Sequence, residues 1–388
     1  DPPPRKTSSP NHSSPDRCPR RRQREARLLD RLVETTNVVF ATNAGAAKRV
    51  LADDALFDLV VVDEAAQALE ASCWIPLLKG TRAILAGDHK QLPPTVKCAG
   101  GSAETLSRTL FERLMDDARP GHGAKSCSVL LKTQYRMHGT ICAWASTASY
   151  GGALEAAPSC ASRDLYADDF LARPADLTKA FAPMLHVDTC GLGLDDDSAA
   201  GAGEHGAMSV ANAGEADVVV AHVRRLLAAG LKSADVCVIA PYHAQVTLLR
   251  AALDDLGVEA RTVDGYQGGE RDAVVLSLTR SNDRRAVGFL ADERRLNVAV
   301  TRARRHVCVV GDSDTVRTSP FIAALLDHVH AAGDYASAAE YLDGEPAAVN
   351  SAPARGAPLM DAAAAPRTDS AATPAAAGYP PMPTKAPS

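Results

Sequence analysis

Short runs of Val, Ile, Leu and Ala with little polar alternation recur at 38–41, 56–62, 83–86, 129–132, 184–187, 236–240, 260–263, 273–278 and 306–310. Such runs predict strands covered on both faces, the habit of parallel sheets. Between them, apolar positions at helical spacing predict helices over 23–35, 103–117, 137–150, 215–229, 244–256, 292–304 and 315–330. Alternation of the two predicts βαβ units and a doubly wound α/β fold. The strand groups 38–86 and 129–310 read as two sheets divided near 118–128, and the Gly/Asp-rich stretch 190–214 reads as a surface loop. Ligands of such sheets bind at the carboxyl ends of the strands.

Polar motifs sit at those ends. Asp63-Glu64 follows Leu59-Val60-Val61-Val62. There an Asp can hold Mg²⁺ and a Glu can orient or deprotonate an attacking water; an acidic pair can equally be a solvated strand end. Gly87-Asp88 closes the next strand, with Gln91 three residues on and Pro93-Pro94 stiffening the loop. An amide near a terminal phosphate can sense it by hydrogen bonding, although the segment alone also reads as an ordinary turn. Arg136 and Arg302 are candidate arginine fingers, a role that raises phosphoryl-transfer rates by roughly 10³–10⁵. If Arg302 and Arg304 share one helix they point roughly 200° apart and cannot serve one phosphate together. Asp264-Gly265-Tyr266-Gln267-Gly268-Gly269-Glu270 follows a strand, and its glycines permit close backbone approach to a phosphate or ribose that Glu270 could bond. By itself this is also a plain glycine turn.

Composition narrows the classes. A net charge of −5 over 388 residues leaves nucleic-acid binding to local basic loops. Nine cysteines without a Cys-x-x-Cys pair argue against a zinc site or a secreted disulfide scaffold and for a reduced, intracellular setting, nucleus or cytoplasm. No apolar run is long enough for a membrane span. The Pro/Ser/Arg-rich segment 1–20 and the Ala/Pro-rich tail 343–388 are expected to be disordered.

Taken jointly and in order, the motifs resemble superfamily 1B helicases of the up-frameshift type, most closely the immunoglobulin-mu-binding branch, over about 24–342. The resemblance implies two RecA-like P-loop NTPase domains with parallel sheets, a partial first one at 21–127 and a second at 128–342. It implies ATP and Mg²⁺ between them, a single strand of RNA or DNA across both, and 5′ to 3′ movement. It gives Asp63 the magnesium, Glu64 the base, Gln91 the γ-phosphate coupling, and Arg136 and Arg302 the fingers. Tyr135 then packs on adenine, Gly268 and Glu270 form the fifth motif, and Thr42 and Pro94 lie on the nucleic-acid side.

Two departures stand out. Gly269 replaces a basic residue usual in the family. No Gly-x-x-x-x-Gly-Lys-Ser/Thr phosphate loop occurs in the 388 residues; Gly45-Ala46-Ala47-Lys48 lacks the spacing. Without that cradle the expectation is a chain nearly inactive as an ATPase and cut from a longer active helicase, a first domain that folds poorly alone and a second that folds independently. The competing readings are a non-catalytic nucleic-acid-binding remnant and a defective gene product.

Overall fold

Six parallel strands carry the larger sheet: β5 (Met184–Asp188), β6 (Val236–Ala240), β7 (Glu259–Thr262), β8 (Arg271–Ser277), β9 (Ala303–Gly311) and β10 (Asp334–Ser337). Their spatial order is β10-β5-β9-β8-β6-β7. Successive side chains alternate between faces. Cys237, Ile239, Val274, Leu276, Val307 and Val309 join one buried cluster. Val236, Val238, Ala273, Val275, Cys308 and Val310 join another. Both faces are therefore covered, which is why these strands read as unbroken apolar runs. This structure, a computed structural model, describes residues 24–342 apart from 26, 29–30, 34, 49–50, 52–56, 97–105, 118–126, 176–180 and 198–208. The segments expected to be disordered lie outside the described residues.

Helices α3 (Gly139–Ser149), α6 (Glu293–Val300) and α7 (Pro320–Ala332) supply the first cluster, through Ile141, Trp144, Leu296, Val298 and Leu325. Helices α4 (Ala213–Ala228) and α5 (His243–Leu253) supply the second, through Val219, Val223 and Leu249. Local chemistry starts these helices where they start. Asn212 accepts from Glu215 N at the head of α4, Asp292 accepts from Arg294 N at the head of α6, and Pro320 opens α7.

The amino-terminal part is thinner. β1 (Val60–Val62) and β2 (Ala83–Leu85) form a two-stranded parallel sheet, with α1 (Glu70–Leu77) and α2 (Leu110–Asp117) nearby. The buried apolar cluster there, Val62, Ala65, Cys73 and Leu110, is small. A further parallel pair, β3 (Thr133–Gln134) with β4 (Glu155–Ala156), precedes the large sheet.

The structure corrects three expectations. Residues 38–41 and 129–132 are not strands: Phe40 is 95% exposed and Val129 84%, and the one ladder bond to either run from a strand among the described residues is Glu155 N to Lys132 O at 2.7 Å, where β3 is about to begin. The helix expected over 292–304 ends at Val300, and β9 begins at Ala303. Arg302 therefore stands in a turn and Arg304 in a strand, so the helical-wheel argument separating them does not apply. The short strands β4 and β10 lack apolar runs and left no sequence signal.

Candidate nucleotide site

The first wall of the site forms where β1 and β2 end together. Ala86 N donates to Val62 O at 2.9 Å, and Ala65 N donates to Ala86 O at 2.8 Å. Gly87 makes this approach possible: a Cβ there would lie 2.8 Å from Ala66 N. The Asp63-Glu64 and Asp88–Gln91 turns are thereby pressed side by side. Glu64 adopts φ 52°, ψ 37°, a left-handed conformation uncommon for a non-glycine residue. Its Oε2 accepts from Gln67 Nε2 at 2.5 Å, and Asp63 Oδ1 accepts from Glu64 N at 2.9 Å. Burial, the Asp63 charge and Asp88 raise the proton affinity of Glu64, while Arg302 opposes them. On the neighbouring turn, Asp88 Oδ2 accepts from Gln91 Nε2 at 2.8 Å and from the Tyr150 hydroxyl at 2.6 Å.

The opposite wall carries the arginines. After β3, Gln134 Oε1 accepts from the backbone N–H groups of Arg136 (2.8 Å) and Met137 (2.7 Å), folding the turn that presents Arg136. The Arg136 guanidinium bonds Glu270 through Nε and reaches Thr301 O at 3.2 Å. Glu270 is shared, since Arg304 donates to its Oε1 through Nε (3.1 Å) and Nη2. Burial alone would raise the Glu270 carboxyl, but hydrogen bonds from Arg304 and Arg136 hold it below its usual range. Both oxygens of the carboxylate assigned to ribose thus already accept from guanidiniums.

Arg302 is different. It is 3% exposed, and its Nε donates to Val298 O at 3.0 Å. Among the described residues no carboxylate forms an ion pair with it. Burial, followed by the neighbouring Arg136 charge, pushes its proton affinity down to about 10, with Glu270, Tyr150 and Glu64 acting the other way. It stays charged near neutrality, and a buried cation without an ion-pair contact is costly. Glu64 and Arg302 each act electrostatically on the other's proton affinity.

The remaining expected positions are less central. Tyr135 is 71% exposed. Gly268 has φ 78° with open space around it. A Cβ on Gly269 would lie 2.9 Å from the Tyr266 ring, so glycine there is matched to that ring. Thr42 is exposed, and its hydroxyl accepts from Gly45 N at 3.0 Å. Pro94 is buried in the loop it stiffens.

Sequence reading missed the residues that join the two walls. Asn297 Nδ2 donates to Lys90 O (3.0 Å) and to the Tyr150 hydroxyl (3.3 Å). Arg294 pairs with Glu112 at 2.9 Å. Neither residue type nor spacing marks such contacts, because the partners are far apart in the chain. Among the described residues no helix is long and apolar enough to cross a membrane.

A parallel sheet with an acidic pair at one strand end and a buried arginine on the other wall has the layout of α/β proteins that handle nucleotides. Family models described as AAA domain match residues 11–99 and 106–314. DNA-binding protein SMUBP-2 of Rattus norvegicus is 46% identical over 83% of this chain and 32% of its own length. DNA polymerase alpha-associated DNA helicase A of Schizosaccharomyces pombe is 41% identical over 76% of this chain and 43% of its own. The regulator of nonsense transcripts 1 homolog of Neurospora crassa is 35% identical over 75% and 25%. The chain belongs to the superfamily 1B helicases of the up-frameshift type. It spans less than half the length of these curated relatives.

Proposed function

We propose that this chain forms the acidic and arginine walls of the nucleotide cleft in an ATP-driven helicase that moves 5′ to 3′ on single-stranded RNA or DNA. The observation that carries this reading is Arg302, a buried cation with no ion-pair partner among the described residues, within electrostatic reach of Arg136 and Glu64. Such a site attracts a polyanion. On this reading residues 21–127 belong to a first RecA-like domain and 128–342 to a second.

The donor set at the end of β1 suits Mg²⁺, which binds one or two carboxylates and completes its shell with phosphate and water. Asp63 would hold it, and when bound it neutralises charge on the phosphate oxygens. Glu64 takes the proton of the attacking water, a role served by its raised proton affinity. Arg136 and Arg302 balance the charge that develops on the transferred phosphoryl group. Gln91 senses the terminal phosphate, Tyr135 packs on the base, and Gly268 with Glu270 borders the ribose. Thr42 and the Pro94 loop lie toward the strand. The names of two relatives specify DNA and that of the third transcripts, so both strand types belong in the test.

A second reading, a binding remnant without catalysis, is favoured by one fact: no phosphate loop occurs within the 388 residues. Joining a relative's phosphate-loop segment to the chain separates the two. The helicase reading expects ATP hydrolysis stimulated by single strands and lowered roughly 10³–10⁵-fold by Arg302→Ala. Stimulated hydrolysis indifferent to both Arg302→Ala and Glu64→Gln would refute it.

A further inference from the structure

We propose that Tyr150 is a positioning residue, tying the Gln91 loop to the chain segment that ends in Arg302 so that the two shift as one unit. The inference deepens the helicase reading and rests on it for its functional meaning.

Tyr150 closes α3, its N–H donating to Ser146 O at 3.0 Å. Gly151 and Gly152 follow with φ 60° and 79°, turning the chain sharply away. The hydroxyl is left at the junction between the walls, donating to Asp88 Oδ2 at 2.6 Å while receiving from Asn297 Nδ2 at 3.3 Å. Gln91 Nε2 donates to the same Asp88 oxygen at 2.8 Å. One carboxylate oxygen therefore holds the candidate phosphate sensor with one lone pair and Tyr150 with the other.

On the far side the connection continues through α6. Asn297 Nδ2 also donates to Lys90 O at 3.0 Å, grasping the Gln91 loop a second time. Asn297 O accepts from Thr301 N (3.1 Å) and Thr301 Oγ1 (2.8 Å), and Arg302 Nη2 donates to that hydroxyl at 3.3 Å. The path from Gln91 to Arg302 is thus continuous through Asp88, Tyr150, Asn297 and Thr301. Asn297 Oδ1 is buried and finds no hydrogen-bond partner. A network with one acceptor to spare can exchange partners when the loop moves, without stranding a second polar atom.

Burial of the Tyr150 phenol and the adjacent Asp88 charge raise its proton affinity, so it remains a donor across the physiological range. Phenylalanine would keep the ring's packing and remove only the hydroxyl.

Hydrogen exchange of the 388-residue chain tests the link without nucleotide. Tyr150→Phe is expected to speed exchange about tenfold in both 88–91 and 297–302, the effect of losing one bond to a charged acceptor. Tyr242→Phe is the control: its hydroxyl accepts from Phe289 N and donates to Val287 O, and its loss should leave both segments unchanged. Faster exchange confined to 146–154, or to only one of the two segments, overturns the proposal. Combining Tyr150→Phe with Asn297→Ala should add little to either change; full additivity counts against a shared path. In the chain joined to a phosphate loop, Tyr150→Phe should lower strand-stimulated kcat about tenfold with KM for ATP held within about twofold. A joined protein that hydrolyses no ATP refutes the helicase reading, while the exchange result still judges the link.

Discussion

The two sheets of this molecule are built from similar residues and differ in what covers them. In the six-stranded sheet Val238, Val275 and Val309 are fully buried, and helices lie on both faces. In the β1–β2 pair Val61 is 59% exposed and Ile84 52%, side by side on one uncovered face. Identical side chains therefore contribute very differently. A buried Val or Leu stabilises by about 1.5–3 kcal/mol, whereas the same residue in water contributes almost nothing. The arginine wall rests on the well-packed sheet and the acidic wall on the sparse one.

The largest expected consequence is in proteolysis. If the comparison holds, brief protease treatment cuts between 24 and 132 at least about tenfold faster than between 184 and 342, because local opening follows packing. The reverse order would break it. Next, Leu276→Ala should cost about 2–5 kcal/mol, read from the denaturant midpoint, while Val61→Ala should change stability by less than about 0.5 kcal/mol. Equal losses would erase the contrast.

Glu215 sharpens the comparison by pH. It is fully buried below the end of β8, where its carboxylate accepts from Ser277 Oγ (2.5 Å) and Thr279 N (2.8 Å). Burial pushes its pKa up to about 8, against the pull of those two donors. A raised folded-state value means that the stabilising protonated form is present below the unfolded pKa, near 4.5, and lost as pH rises through about 8. Wild-type stability should therefore fall relative to Glu215→Gln over that window, by at most about 1.4 kcal/mol per pH unit. Thermal melts from pH 4.5 to 8 that stay parallel would contradict it. A small effect is expected at the Glu112–Arg294 bridge, partly exposed at 2.9 Å. A double-mutant cycle there should give under about 1 kcal/mol and shrink with added salt.

How far the sequence could be read follows the same divide. Strands β6 and β8 were evident because unbroken apolar runs belong to strands buried on both sides. Residues 38–41 and 129–132 have the same composition, but a run cannot say whether a neighbouring strand exists to complete its ladder. The Asn297–Thr301 segment misled for another reason: Val-Ala-Val-Thr suits either element, and the helix stops where the Arg302 N–H bonds Ala299 O, three residues back instead of four. Asp63, Glu64, Gln91, Arg136 and Arg302 were legible as a set because their types and order carry chemistry. Tyr150 and Glu215 were not, since each acquires its role from partners more than sixty residues away.

Gly87 decides how closely the two turns of the acidic wall can lie. With hydrogen where any other residue has carbon, the backbones leaving β1 and β2 meet directly, Ala65 N on Ala86 O at 2.8 Å, so the turns bearing Asp63 and Asp88 are joined by peptide groups instead of adjustable side chains.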